Sequence, residues 1–278
     1  MDIYRGASIG WYVPTRQIGC CTLSAVSVQS QKYLSSREIN KICYNLKIKH
    51  GQKYMNDLKP TETALLTQQL ESPDLRDRMV ALASLRNVPA DVALPLIKKV
   101  LNDESLQLRS MAVFALGIKV TPESYPILID ILANDPDYGI RADAAGALGY
   151  LEDIRAFEAL VRAFYEDTDW LVRFSAAVSL GNLKDPRAFD VLMKALDSPE
   201  VVLQQAAIAA LGEIKALAAV DKLVTFIEAE DWLVRQRLAE ALAQLPTPKS
   251  ISALKYLTKD SHPNVSAAAT ICLQRMEG

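Results

Sequence analysis

The sequence predicts an all-α fold, a solenoid of about seven helical hairpins, and three observations carry that expectation. The phrase Asp169-Trp-Leu-Val-Arg-Phe-Ser-Ala-Ala-Val-Ser-Leu-Gly181 returns, with variation, as Asp137–Gly149 one period earlier and as Ser105–Gly117 before that. Its arginine serves as an anchor. Arg78, Arg109, Arg141, Arg173, Gln204, Arg235 and Ser266 follow one another at spacings of 31, 32, 32, 31, 31 and 31. A period this regular marks stacked repeats, each too small to bury its own apolar face. Within each period, apolar residues recur at helical spacing.

Residues 1–54 match nothing in the repeat. They hold eight Lys/Arg against two Asp/Glu, and three of the four cysteines: Cys20, Cys21 and Cys43. Ile9–Val13 reads as a short strand, and Ser35–Lys49 as a helix capped by Ser36. Three readings of the segment stand: a loose tail or a mis-assigned start, with Met55 as the true one; a basic docking arm; or a transit peptide, basic and poor in acids. The solenoid is expected over 55–278.

From Pro60 onward each repeat reads as two helices. In the first, apolar residues share one face; in the fifth repeat they are Ala188, Val191, Leu192, Ala195 and Leu196, with Arg187, Asp190 and Lys194 opposite. A tight acidic turn follows. The second helix begins four residues before the anchor, at Asp74, Ser105, Asp137, Asp169, Glu200, Asp231 and His262. The Asp and Ser members suit the cap position, where a side-chain oxygen accepts an orphan backbone N–H. The next residues, Leu75, Leu106, Tyr138, Trp170, Val201, Trp232 and Pro263, are expected to be buried staples across the turn. The helix then buries Val172, Ala176, Ala177 and Leu180 and their equivalents. Gly117, Gly149, Gly181 and Gly212 are expected to end it in a left-handed cap.

Composition bounds function. Half of the 278 residues are hydrophobic, and the net charge is −2. Beyond residue 54 the chain holds 31 − 8 = 23 Lys/Arg and 33 − 2 = 31 Asp/Glu. An acidic body does not suit phosphate backbones, so nucleic acid is not an expected partner. No run approaches the roughly 20 apolar residues of a membrane span. The cysteine pattern is no disulfide framework and fits a reducing, cytoplasmic setting.

The pattern Asp-x-x-Val-Arg-x-x-Ala-Ala-x-Ala-Leu-Gly, as in Asp169–Gly181 and Asp137–Gly149, resembles the HEAT-like repeats of the phycobilin lyase family. The resemblance covers roughly residues 60–276. A single array of this length without an extra catalytic domain is most similar to the branch of that family concerned with phycobilisome degradation. The resemblance implies a cytoplasmic protein at the phycobilisome, on the thylakoid surface, that engages phycocyanin or allophycocyanin subunits. It implies phycocyanobilin as a ligand rather than a resident cofactor. A phycocyanobilin lyase subunit, working with a second HEAT-like subunit, and a plain protein–protein scaffold remain alternatives.

No catalytic constellation is recognisable. HEAT-repeat hydroxylases resembling deoxyhypusine hydroxylase hold two irons through His-Glu pairs, whereas this chain has only His50 and His262. Phosphate-binding loops, dinucleotide fingerprints and the Gly-x-Ser-x-Gly elbow are missing. Cys272 falls where other repeats place Ala or Ser, so it reads as a packed position. Arg109, Arg141, Arg173 and Arg235 read as a structural ladder to the acidic turns, with binding of bilin propionates as the competing reading. Trp170 and Trp232 read as staples, with stacking on a tetrapyrrole as the alternative.

Positions that vary between repeats without serving the fold are better candidates. They lie one, two, five and nine residues after the anchor, on helices that normally line the concave face of a solenoid. In early and middle repeats they are Met79, Val80, Met111, Phe114, Ile118, Tyr150, Phe174 and Val178, with Asp143 among them. Later they are Gln205, Glu213, Gln236, Arg237, Glu240 and Gln244. The expected groove is thus apolar at one end and polar at the other, a form that suits a partner surface. Asp143 could accept hydrogen bonds from pyrrole N–H groups, with Phe114, Tyr150 and Phe174 as flat walls. Burial of these side chains between repeats is the competing expectation.

Overall fold

Helical hairpins follow one another along the whole of the described chain, residues 60–277 of a computed structural model. The pairs are α1 (Pro60–Leu70) with α2 (Leu75–Ser84), α3 (Ala90–Val100) with α4 (Leu106–Ile118), α5 (Ser124–Asn134) with α6 (Tyr138–Leu151), and α7 (Phe157–Glu166) with α8 (Trp170–Asn182). Then come α9 (Phe189–Ala195) with α10 (Val201–Glu213), α11 (Val220–Leu223) with α12 (Trp232–Ala243), and α13 (Pro248–Leu257) with α14 (Pro263–Glu277). There are no strands among the described residues, and the fold is an all-α solenoid. The basic segment 1–54, with its three readings, lies outside the described residues.

Capping chemistry sets where each second helix begins. Asp74, Ser105, Asp137, Asp169 and Asp231 each accept a backbone N–H from the first turn of the helix they precede. Four backbone N–H groups at a helix start have no partner within the helix, and such a cap satisfies one or two of them. Glu200 occupies the same place before α10 but makes no such bond.

The hydrophobic pattern decides which faces close. Ala188, Val191, Leu192, Ala195 and Leu196 are all buried, as are Val172, Ala176, Ala177 and Leu180. From α4 onward, second helices of adjacent repeats pack along their length, whereas first helices of adjacent repeats barely touch. The layer with the closer spacing is the shorter one, so the array curves with its second helices inside.

The glycines explain that close spacing, and they correct a local expectation. Gly117, Gly149, Gly181 and Gly212 do not end their helices; each lies within one. A Cβ on Gly149 would come within 2.5 Å of Ser179 Oγ, and one on Gly181 within 2.7 Å of Ala210. At Gly117 and Gly212 the nearest atoms belong to Ala147 and Ala241, at 3.0 and 2.9 Å. Each glycine therefore lets the next repeat's second helix approach. The left-handed residues come three positions later in three repeats, at Glu152, Lys184 and Lys215, with φ of 52°, 53° and 55°.

A second correction concerns the residues after the caps. Leu106, Tyr138, Trp170, Val201 and Trp232 are not buried staples; each is 37–50% exposed. Leu75, at the same place in the first repeat, is partly buried against the core and keeps the expected role. Trp232 instead lays its ring on His262 of the next repeat, 4.3 Å between centroids and 10° from parallel.

Among the described residues, no helix is long and apolar enough to cross a membrane.

Candidate functional site

The inner face of repeats two to four is formed by α4, α6 and α8. Side chains three and seven residues apart share a helix face. This puts Met111, Phe114 and Ile118 together on α4, and Asp143, Gly146 and Tyr150 together on α6. On α8 the row is Ser175, Val178 and Asn182, with Phe174 beside it. Met111, Phe114, Asp143, Phe174 and Val178 are half-buried, while Tyr150 is 47% exposed. Curvature thus tucks the roots of these side chains between helices and leaves their outer parts accessible. Met111, Phe174 and Val178 also pack against the core.

Three local features give this face its character. Phe114 and Tyr150, from adjacent repeats, meet edge to face with centroids 5.9 Å apart. A Cβ added at Gly146 would meet nothing within 4 Å, so open space lies above that part of α6. Asp143, one turn before Gly146, shares a hydrogen bond with the Ser110 hydroxyl. Burial pushes its carboxyl up to about 6, and the charge of Asp137 adds to the rise. Near neutral pH this group passes between an acceptor-only carboxylate and an acid with a proton to donate.

Sequence reasoning missed Gly146 and Ser110. Gly146 is the smallest residue at the position five after the anchor, where neighbouring repeats hold Phe114 and Val178. That contrast was readable. Ser110 gave no signal, because only the stacking of α4 on α6 brings it to Asp143.

The polar end of the inner face differs in kind. Arg237 and Glu240 pair at 2.7 Å, and Gln236 donates to Glu240 at 2.9 Å. Gln244 donates to Glu213 at 3.0 Å, and Gln205 to Asp231 at 3.2 Å. These groups satisfy one another, so a ligand there would have to break existing bonds.

The anchor arginines sit at the turn edge, away from this face. Arg109 meets Asp135 at 2.5 Å, Arg141 meets Asp167 at 2.8 Å, Arg173 meets Glu200 at 2.7 Å and Arg235 meets Asp260 at 2.7 Å. In every case the acid belongs to the next repeat. Arg141 and Arg235 also donate to carbonyls of their own turns, at Asp135 and Pro136, and at Ala229 and Glu230. The Arg235 hydrogen bond holds the Asp260 carboxyl below its usual range. For Asp167, burial acts to raise the carboxyl. The hydrogen bonds from Arg141 and the Asp169 amide outweigh that, and the net shift is downward. Arg237 is the exception to this use of arginine, lying on the inner face.

Elsewhere the described residues offer less. Cys272 is buried, and burial pushes its thiol up, away from the reactive thiolate. No group of three or more His, Cys, Asp and Glu able to hold a metal occurs among the described residues. A cavity of about 470 Å³ lies between repeats six and seven, lined by Ile227, Glu228, Arg235, Tyr256 and Asp260 among others. Its polar groups are already engaged, Arg235 with Asp260 and Tyr256 with Glu228. The inner face of repeats two to four, with an acid near neutrality and unfilled space, is the stronger site.

Comparison with known proteins follows the architecture. The complex of CpcE and CpcF of phycocyanin lyase from Nostoc sp. PCC7120 superposes with a TM-score of 0.51 at 22% identity, covering 82% of this chain and 98% of that one. The archaeal HEAT-like repeats protein from Thermococcus onnurineus NA1 gives a TM-score of 0.50 at 14% identity, covering 79% of this chain and 98% of its own. At these identities the likeness speaks for the fold. No curated protein matches the sequence. The family model for HEAT repeats matches residues 63–149, 125–203 and 190–274, which leaves little of the array unmatched. With hairpins, caps and inter-repeat ion pairs all in place, the chain belongs to the HEAT repeat family.

Proposed function

We propose that this protein is a phycobilisome-associated HEAT-repeat protein of the NblB type. It binds phycocyanin or allophycocyanin subunits through the inner face of repeats two to four, takes up phycocyanobilin there, and promotes phycobilisome degradation or chromophore removal in the cyanobacterial cytoplasm. The observation that carries the reading is that Asp143 and the open space over Gly146 share a helix face with Tyr150, on the inner surface that also carries the Phe114–Tyr150 pair. A flat, conjugated ligand with N–H donors needs apolar walls and one acceptor, and this face offers both. The fold shared with the phycocyanin lyase subunits supports the reading, and solenoids of this kind use their curved inner surface for extended partners. Catalytic help would come from positioning and exclusion of water, with Asp143 as the proton-handling group.

The test is to record the visible spectrum of phycocyanobilin, and of holo-phycocyanin, with the protein and with its Gly146→Leu variant. A spectral change with the parent and none with the variant is the expected result. Space is open at Gly146, so the variant should remain folded. Loss of chromophore from holo-phycocyanin would support the degradation reading. A change seen only when a second HEAT-like subunit is added would point instead to a lyase that attaches bilin. An unchanged spectrum with both probes would leave a protein–protein scaffold.

A further inference from the structure

The five exposed residues at the turn edge form a pattern that the inner face does not explain. Leu106, Tyr138, Trp170, Val201 and Trp232 each occupy the first position of a second helix. Because those helices stack side by side, the five residues line one edge of the solenoid. Packed helices lie about 8–10 Å apart, so the row runs roughly 40 Å. The indoles of Trp170 and Trp232 find no hydrogen-bond partner among the described residues, although buried or docked indoles usually have one.

The row is also bordered by negative charge. The turns leading into these residues, 102–105, 135–137, 167–169, 197–200 and 228–231, carry acids and no lysine or arginine. Setting aside acids held in ion pairs, Glu104, Asp137, Glu166, Asp169, Glu228, Glu230 and Asp231 remain, of which Asp137, Asp169 and Asp231 also cap their helices. An apolar ridge flanked by carboxylates that no cationic side chain neutralises fits a cationic segment with regularly spaced apolar side chains.

Such a segment exists in the same chain. Residues 1–54 carry eight Lys/Arg and two Asp/Glu, opposite in sign to the rest. The stretch Ser35–Lys49, for which the sequence predicts a helix, places Ile39 and Leu46 seven residues apart. Along a helix that is about 10.5 Å, close to the spacing of the ridge. Reach is sufficient. The segment joins α1 at Pro60, and α1, eleven residues long, ends at the turn edge. The length of α1, about 16 Å, is no more than roughly five residues of chain can span.

We propose that the basic segment 1–54 docks in cis on this ridge, with its lysines and arginines against the turn acids and its apolar side chains against Tyr138, Trp170 and Trp232. The ridge is thereby covered in the free protein, and a partner with a stronger cationic segment would have to displace it. This inference stands apart from the inner-face reading and does not depend on it.

The experiment uses the full chain with Trp11→Phe, so that only Trp170 and Trp232 fluoresce. Acrylamide quenching is compared with the same chain carrying Arg37→Glu, Lys41→Glu, Lys47→Glu and Lys49→Glu, at low and at high salt. Charge reversal, or salt sufficient to screen the pairs, should raise the quenching constant about two-fold, independently of protein concentration. Equal quenching in all samples overturns the proposal, and so does a difference that appears only as concentration rises, which assigns the contact to a second copy. As an independent arm, Tyr138→Ser with Trp170→Ser in the full chain should speed tryptic cleavage at Lys41–Lys53 by about three- to ten-fold, the effect of losing two aromatic contacts. Helical content should be unchanged because both residues are exposed. Unaltered cleavage in that folded variant also overturns docking on this ridge.

Discussion

The joint between repeats three and four and the joint between repeats five and six use the same hairpin, yet they are fastened differently. At the first, Arg141 reaches Asp167 with two nitrogens and also holds two carbonyls of its own turn. Gly149 admits Ser179, whose hydroxyl donates to the Ala145 carbonyl at 2.8 Å. At the second, the anchor is Gln204 and the place of the turn acid is taken by Ala229. Gln204 reaches only the Ser198 carbonyl of its own turn. The first helix of repeat six is also cut short, with α11 spanning four residues before a 3-10 turn at Val224–Phe226. The bidentate charged rung lies beneath the candidate site, whereas the joint beneath the polar stretch is tied by Gln205 to Asp231, Gln244 to Glu213 and the exposed pair Lys222–Asp197. The lesson is that one repeat array can fasten its joints with different chemistry, a half-buried charged rung at one and amide–carboxylate bonds at another. At the joint where Phe114 meets Tyr150 the rung is thinner, since Arg109 reaches Asp135 through one nitrogen and its Nε is left without a partner.

The sharpest way to break this comparison is to cut one rung at each joint. Arg141→Met removes a bidentate pair whose two side chains are only 17% and 10% exposed. It strands Asp167, and about 3 kcal/mol of stability should be lost. Gln204→Met removes one neutral bond and should cost about 1 kcal/mol or less. Urea unfolding of the two variants decides it, and equal losses would erase the distinction.

The next effect is one of pH. The folded-state pKa of Asp143 lies above the usual carboxylate value, at about 6. Its contribution is therefore fully present below about pH 4 and lost as pH rises through 6. A shift of this size corresponds to about 2–3 kcal/mol at most. Asp167 and Asp260 are shifted the other way, so their contribution is present above the unfolded carboxylate value and lost as pH falls. Asp143→Asn should flatten the decline between pH 4 and 7 while leaving the acid-side loss intact. Denaturant midpoints across that range would show both limbs. A parent protein with no decline on the neutral side would remove the case for a perturbed Asp143.

The smallest effects come from two glycines in one helix. Gly149→Ala drives a methyl group into Ser179 and should destabilise by about 1–3 kcal/mol. Gly146→Ala meets open space and should stabilise by about 0.5–1 kcal/mol, since alanine is the better helix former. Thermal melts of opposite sign, three residues apart on α6, would locate the packed and the open side of that helix. Matching signs would mean that the space above Gly146 is not there.

Much of the fold was legible because it rests on local rules repeated many times. The 31–32 residue period, the Asp and Ser caps and the apolar spacing of the fifth repeat all hold in the structure. The candidate site was legible in part. Its residues were found by asking which positions differ between repeats, and Phe114, Asp143 and Tyr150 do face the same side. The pairing of Asp143 with Ser110 was not legible, because those residues are 33 apart and meet only across stacked helices. The glycines misled for a related reason. A glycine near a helix end suggests a left-handed cap, yet Gly149 and Gly181 serve a neighbour that no local window contains. Trp170 and Trp232 misled as well, since an aromatic residue suggests burial whatever edge of the hairpin it stands on.

From sequence alone came the helices, their order and the faces they bury, because backbone capping and amphipathic spacing act within a few residues. Only the tertiary structure decided how close the second helices stand, which carboxylate is forced toward neutrality, and which apolar side chains are left at the surface. Those outcomes depend on distances between repeats. They are set when one hairpin packs on the next, half-burying Asp143 while leaving Trp170 and Trp232 outside the seam.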